Sequence, residues 1–423
     1  MGPSALFDKS FLQSLSVDES VWFDHFFSPT ICPIFYVETL ADLSKPKSSS
    51  GRSGEDEVRI IADKTPEMSG APCTHHRVMC IGDLMGDHVP LTGQIPMTGG
   101  VPTRAPDGKQ GIVFNASPES KAFSRWQHGD FQEIENQMAR EWRRMLTNLD
   151  LPQTARNIRD VGINAQTCKS VEQAVEMARR IVRSNSKPFE QVQLLQNFVD
   201  IHPQEVRTIF DRWRDAQHKP LIAHAPYAAH VLTVELFFQI ALGANLISAE
   251  RPSNRIDISY LFYLPFCNFF VSNDKLHRLC APPFLRTNQQ FVWGPDLKAD
   301  LARLNTEFAK LPEAVRDTGI MKFASVPLGG DDNLICQLFN RHFPGWRNRE
   351  EKPIALSPEA EKKLVERLKK TMDEAAISAS GGRPSEAEIE NLSIQRMVRK
   401  RKGSWFQVDK NMKNQDEMPN RDN

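Results

Sequence analysis

The chain carries no net charge: lysine plus arginine number 53 and aspartate plus glutamate number 53 in 423 residues. Nucleic-acid binding over a broad surface selects for a basic face, so any such contact here must be local. No stretch approaches the ~18 consecutive apolar residues of a membrane span. The first residues also lack the basic segment, apolar segment and small-residue cleavage site of a secretory leader. These absences predict a cytoplasmic protein with no membrane partner. Seven cysteines, at positions 32, 73, 80, 168, 267, 280 and 336, form no disulfide framework, and their odd number fits a reducing compartment. The 40% apolar fraction is enough for at least one substantial core. The length allows two or three domains of ~100 to 200 residues each.

The stretch from Arg255 to Asp274 is the most informative. Ser253 is expected to cap a helix beginning near Asn254, with Ile258, Leu261, Phe262 and Leu264 as its buried stripe and Pro265 as its end. Asn268 to Ser272 then reads as a short buried strand. Asp274 emerges just past the carboxyl end of that strand, where open α/β sheets put their ligands, and Asp257 lies at the other end of the unit. A second junction opens the chain. The apolar run Ser4 to Phe7 stops at Asp8, and Phe11, Leu12 and Leu15 follow at helical spacing. A third lies between Thr30 and Leu43, a β-prone run that turns helical near Val37 and carries Glu38 and Asp42 one turn apart.

These residues resemble the PIN-like nucleases, a family with an early strand ending in Asp, a second strand leading to a Glu-bearing helix, a later helical Asp, and a strand closing on Ser/Thr-x-Asp. The matching positions are Leu6-Phe-Asp8, Tyr36-Val-Glu38, Asp257 and Val271-Ser-Asn-Asp274. The resemblance covers about residues 1 to 44 and 250 to 295; Asp8-Lys-Ser departs from the usual Asp-Thr-Asn, and the gap from Glu38 to Asp257 exceeds the usual spacing. It implies a PIN-like three-layer α/β/α core with a small parallel sheet, in which Asp8, Glu38, Asp257 and Asp274 hold Mg²⁺ or Mn²⁺ and hydrolyse phosphodiester bonds, usually in RNA. Asp42 is the reserve should Glu38 face away, and Ser272, Asn273 and Lys275 are candidate substrate contacts.

The residues support that chemistry by themselves. Mg²⁺ and Mn²⁺ prefer carboxylate and water oxygens, and clustered acids would raise one another's pKa values without a cation. Asp and Glu in a first helical turn also complement the helix dipole, so capping or solvated acids are the competing explanation.

Residues 1–44 and 222–345 are expected to form the core, with a loop-rich insertion at 45–128, a helical insertion at 129–221 and a charged helical tail at 346–423. Residues 45 to 57 read as a flexible Gly/Ser connection, and the Pro- and Gly-rich segment from 58 to 128 argues against regular helix. From 129 to 248, apolar residues recur three or four apart along five helical segments. Cys73, His75, His76 and Cys80 have zinc-ligand chemistry without a diagnostic second pair. Arg140 to Arg144 and Arg179 to Arg183 are phosphate-contact candidates or ordinary solvated helix faces. The basic run Gln395 to Lys402, with Trp405 and Phe406, suits single-stranded nucleic acid or a loose extension beyond the Ser/Gly linker at 375–384.

The function expected is therefore a metal-dependent nuclease, most simply an endoribonuclease. The competing readings are a DNA-cleaving nuclease or phosphatase, and a catalytically silent module that binds a protein partner or a second copy through its helical insertion.

Overall fold

The computed structural model describes residues 2–47, 51–97, 100–104, 110–114, 117–184, 188–348, 362, 366 and 398–412. Among the described residues, seven strands precede the tail: β1 (Ser4–Phe7), β2 (Ser28–Ile31), β3 (Ala71–Pro72), β4 (Gly100–Arg104), β5 (Gln110–Phe114), β6 (Phe269–Ser272) and β7 (Gln290–Trp293). β4 and β5 form a separate antiparallel hairpin. The other five make one parallel sheet in the order β3-β2-β1-β6-β7. The fold is thus α/β, with a small parallel sheet among many helices. β1 and β6 are buried at every position, which is why both read as unbroken apolar runs and not as alternating ones.

The sheet grows outward from β1 through β2 to β3, and the chain then returns to the opposite side of β1 as β6. That reversal makes the carboxyl ends of β1 and β6 a topological switch point, where a crevice opens in sheets of this kind. Asn268 pins the register, its Oδ1 accepting from Ser4 N at 2.8 Å and its own N–H donating to Ser4 Oγ at 3.0 Å. Strand β6 accordingly begins one residue later than the sequence suggests.

The helices of the first third are α1 (Lys9–Ser14), α2 (Val17–Phe26), α3 (Pro33–Leu40), α4 (Gly54–Lys64), α5 (His76–Met85) and α6 (Pro118–Gln127). Three of these correct the expectation of irregular chain between 58 and 128. A capping box of Ser53 and Asp56 starts α4, and its Val58, Ile61 and Ala62 are buried. Met79, Cys80 and Leu84 do the same for α5, and Phe123 and Trp126 for α6. The Pro and Gly residues fall between these helices. Gly54 is not a flexible link either: a Cβ there would stand 2.5 Å from Asp42 O, so the glycine permits a close backbone crossing. Helix α3 starts at Pro33, four residues before the expected turn, because proline is well suited to a first helical position.

The middle of the chain is helical, with α7 (Glu133–Thr147), α9 (Val171–Arg183), α10 (Pro188–Val199), α11 (Pro203–Asp215) and α13 (Pro226–Gly243) where the periodicity requires them and α8 (Leu151–Asp160) and α12 (Leu221–His224) in addition. Helix α13 is buried nearly all round, packed against α5, α8, α9 and α10. No helix among the described residues is long and apolar enough to cross a membrane.

Three helices frame β6 and β7: α14 (Asn254–Ser259), α15 (Lys275–Cys280) and α16 (Gly294–Ala309). Ser253 makes no side-chain cap, since its backbone is already helical, and Pro265 lies inside a 3₁₀ segment, Tyr260–Phe266, without ending the helix before it.

The tail gives the largest correction. Residues 375–384 and 395–397 lie outside the described residues, but β8 (Arg401–Lys402) and β9 (Trp405–Phe406) form a hairpin docked on the body of the protein. Trp405 is buried against Trp22, its indole N–H donating to Asn305 Oδ1 at 2.8 Å. Lys402 is buried and donates to Thr65 O at 2.7 Å, while Arg399 pairs with Glu67 at 2.8 Å. Neither Trp405 nor Lys402 is available to nucleic acid.

Candidate active site

Asp8 ends β1 and caps α1, because a carboxylate with extended backbone can satisfy the first free N–H groups of the helix. Its Oδ1 accepts from Phe11 N at 2.9 Å, and its Oδ2 accepts from the hydroxyls of Ser10 at 2.6 Å and Ser272 at 2.8 Å. His277 Nδ1 stands 3.4 Å from the same Oδ2. Burial pushes the Asp8 pKa up, but the hydrogen bond and charge of His277, with Ser10 and Phe11, outweigh it and hold the carboxyl below its ordinary range.

Ser272, the last residue of β6, links the two strand ends. Its Oγ accepts from Asp274 N at 2.8 Å and lies 2.8 Å from His277 Nδ1. Asp274 then caps α15, accepting from Leu276 N at 2.6 Å. His277 falls one turn along α15, so its ring points back at the strand end, and its Nε2 donates to the Asp257 carbonyl oxygen at 2.7 Å. Burial alone would lower the His277 pKa, but Asp8 and Asp257 overcome it and raise it to about 9.

Asp257 projects from α14. Burial raises its pKa most; His277 opposes this, while Glu38, Asp274 and Asp8 add to it, leaving the carboxyl at about 7. All three other predicted acids therefore act on Asp257 through space, although they come from segments far apart in the chain. Its carboxylate makes no hydrogen bond or ion pair among the described residues.

Glu38 is the most committed of the outer acids. Its Oε1 lies 3.3 Å from Lys9 Nζ, and its Oε2 accepts from the Tyr260 hydroxyl at 2.7 Å. Lys9 also reaches Asp42 Oδ1 at 3.0 Å, and Lys45 meets the same oxygen at 2.7 Å. Burial opposes the charge on Lys9, but Glu38 and Asp42 together raise its pKa, so it stays protonated. Asp42, the reserve ligand, is buried behind Glu38 as a counter-ion to Lys9. It does not replace Glu38.

Among the described residues no three His, Cys, Asp or Glu side chains stand close enough to form a ready-made metal cage. The open valences are those of the half-buried Asp257 and the second oxygen of Asp274, with Asp8 behind them. That donor set fits a hydrated Mg²⁺ or Mn²⁺, since Mg²⁺ commonly binds through one or two carboxylates and keeps several waters.

The proposed substrate contacts divide. Ser272 is wholly buried and its hydroxyl is used in full by Asp8, His277 and Asp274 N, so it organises the site from within. Asn273 donates to Ser10 O at 3.1 Å and is pressed against Gly294, where a Cβ would come within 1.8 Å of Asn273 Oδ1. Lys275 is exposed.

The Cys73 to Cys80 segment does not assemble a zinc site among the described residues. Burial drives the Cys73 and Cys80 thiols well above their ordinary pKa, and burial with the neighbouring His75 and Arg255 lowers His76 to about 3. The His75 and His76 rings instead stack at 4.3 Å, and His76 packs against Phe262.

Sequence reasoning missed Lys9, Tyr260 and His277. His277 left one usable signal, its place three residues after a helix-capping Asp, which turns it toward the cap. Comparison with family models, curated proteins and solved structures gives no match to this chain.

Proposed function

We propose that this protein is a metal-dependent phosphodiesterase of the PIN-like kind, acting on RNA. The observation that carries the reading is that Asp257, which makes no hydrogen bond or ion pair among the described residues, feels the charges of Glu38, Asp274 and Asp8 from three other segments, two of which follow the adjacent strand ends at the switch point of a parallel sheet. The strand order, with β1 central and the two acid-bearing strand ends adjacent, supports a PIN-like core.

Asp257 and Asp274 would hold Mg²⁺ or Mn²⁺, which when bound supplies positive charge to the phosphoryl group. Asp8 is fixed by its helix cap and by His277, and supports the ligands from behind. Tyr260 and Lys9 fix the Glu38 carboxylate. The exposed Lys275 is suited to a phosphate.

The test is hydrolysis of labelled RNA and DNA with and without Mn²⁺. Cleavage of RNA that needs the metal and falls about 10²-fold or more in Asp257→Asn supports the reading. Equal cleavage by folded Asp257→Asn would overturn it. One observation favours a silent interaction module instead: the chain supplies its own cations, Lys9 and His277, to two of the four acids. Absence of both cleavage and metal binding would select that alternative.

A further inference from the structure

The helical insertion carries a groove that shares no residue with the acid cluster. Its volume is about 460 Å³, the size of a small-molecule site, and it lies between α8 and the turn that follows α13. Close packing builds it. A Cβ on Gly243 would stand 2.3 Å from Ile158 Cγ2, so the glycine lets α8 cross the end of α13 at short range. Asn245 then reverses the chain in the left-handed region, at φ 60°, and Asn254 Nδ2 fixes the turn by donating to Ser248 O at 2.8 Å.

Two arginines line the groove, and neutral oxygens orient both. Arg159 Nε donates to Gly243 O at 3.0 Å and its Nη2 to Asn245 Oδ1 at 2.5 Å. Arg156 Nε and Nη2 donate to Gln153 Oε1 at 3.1 and 2.7 Å, and Gln153 Nε2 is anchored on Asn157 Oδ1 at 2.7 Å. Neither guanidinium pairs with a carboxylate among the described residues, and the Nη1 of each has no partner there. Other arginines of the insertion sit against acids, as Arg144 does with Glu141 and Arg214 with Asp211. An oriented guanidinium with open N–H groups matches a phosphate better than any other side chain. Glu250 lines the same groove and makes no side-chain hydrogen bond or ion pair among the described residues, while Pro152, Ile247 and Ala249 supply apolar wall.

We propose that this groove binds a ribonucleoside phosphate, free or as one unit of an RNA chain. Arg156 and Arg159 take the phosphate, Glu250 accepts from the ribose hydroxyls, and the apolar wall lies against the base. The acid beside the two cations selects this class. A bare anion would bring its charge near Glu250 and offer that carboxylate no donor, whereas a ribose offers two hydroxyls. The proposal stands whether or not the acids at the sheet end hold a metal.

The experiment is isothermal titration of the full chain with adenosine monophosphate, its deoxyribose analogue, inorganic phosphate and a short oligoadenylate. The ribonucleotide should bind more tightly than the deoxy analogue, and inorganic phosphate least. Arg156→Gln should weaken the ribonucleotide about tenfold or more, the usual cost of losing a charged hydrogen bond. Arg156 is exposed and bonds only within α8, so this variant keeps the fold even if Arg159→Gln, which uncaps α13, does not. Glu250→Gln should narrow the gap between ribose and deoxyribose. An oligoadenylate that binds well above the mononucleotide assigns the groove to RNA, and equal affinities assign it to the free nucleotide. No binding of any probe overturns the proposal, as does phosphate binding as tightly as the ribonucleotide. Ribonucleotide affinity unchanged in Arg156→Gln but lost in Asp257→Asn would put the ligand at the sheet end and overturn it too.

Discussion

The carboxyl end of the sheet and the helices α7 to α11 use the same charged residues to different effect. At the sheet end, ionic groups are buried and shared between distant segments: Lys9 with Glu38 and Asp42, Asp8 with His277. On the helices, apart from the buried Glu135 paired with Arg125, the pairs are mostly local and wet. Arg144 and Glu141 are 71% and 60% exposed, and Arg140 and Glu133 are 58% and 71% exposed. Exposed pairs add little stability, whereas removing one partner of a buried pair strands the other in a medium that solvates it poorly. Sign and spacing in a sequence do not reveal which case applies. Burial does.

The sharpest test lies inside the acid cluster, where one kind of substitution should have opposite effects. Asp8→Asn leaves the buried His277 cation without its counter-ion and should cost about 3 to 5 kcal/mol in chemical denaturation. Asp257→Asn removes a crowded charge and should stabilise the metal-free protein. Equal signs would break the distinction between paired and unpaired acids. Next in size is the tail: Trp405→Ala should cost about 3 kcal/mol, because its ring fills the core beside Trp22. A tail that is merely tethered would leave the midpoint unchanged.

The pH dependence follows from His277. Its folded pKa, about 9, lies above its ordinary value of 6.5, so the stabilisation is complete below pH 6.5 and is lost as pH rises toward 9. About 3 kcal/mol is at stake across that window, from ~1.4 kcal/mol per pKa unit. Asp257, raised from 3.8 to about 7, stays protonated in the folded protein after the unfolded chain has ionised, so it too lowers stability, between about pH 4 and 7. A His277→Gln protein should therefore lose the alkaline slope and keep the acidic one. An unchanged alkaline slope would assign it to another group. The smallest effects belong to the insertion, where Arg140→Ala and Arg144→Ala should each shift stability by less than about 0.5 kcal/mol.

Much of the architecture was legible because its causes are local. The amphipathic spacing of α7, α9, α10, α11 and α13 is set within a turn or two, and the handover from Ser4–Phe7 to Asp8 is a strand end followed by a helix cap. Helices α4, α5 and α6 were hidden by a composition average, since the glycines and prolines that weighted it lie between them. Helix α8 was missed because its ten residues bury only Leu151 and Ala155.

The sequence by itself determined which residues could be the acids, since Asp8, Glu38, Asp257 and Asp274 each sit at or near a junction defined by a few neighbours. Only the tertiary structure decided their condition. Ser272 reaches Asp8 across 264 positions of chain, and Tyr260 reaches Glu38 across 222. Through such contacts one acid is held ionised by His277, one is bound to Lys9, and one is left near neutrality. Capping and periodicity act over a few residues, so a sequence displays them; electrostatics acts through space and depends on burial, and neither exists until the sheet brings β1 and β6 together.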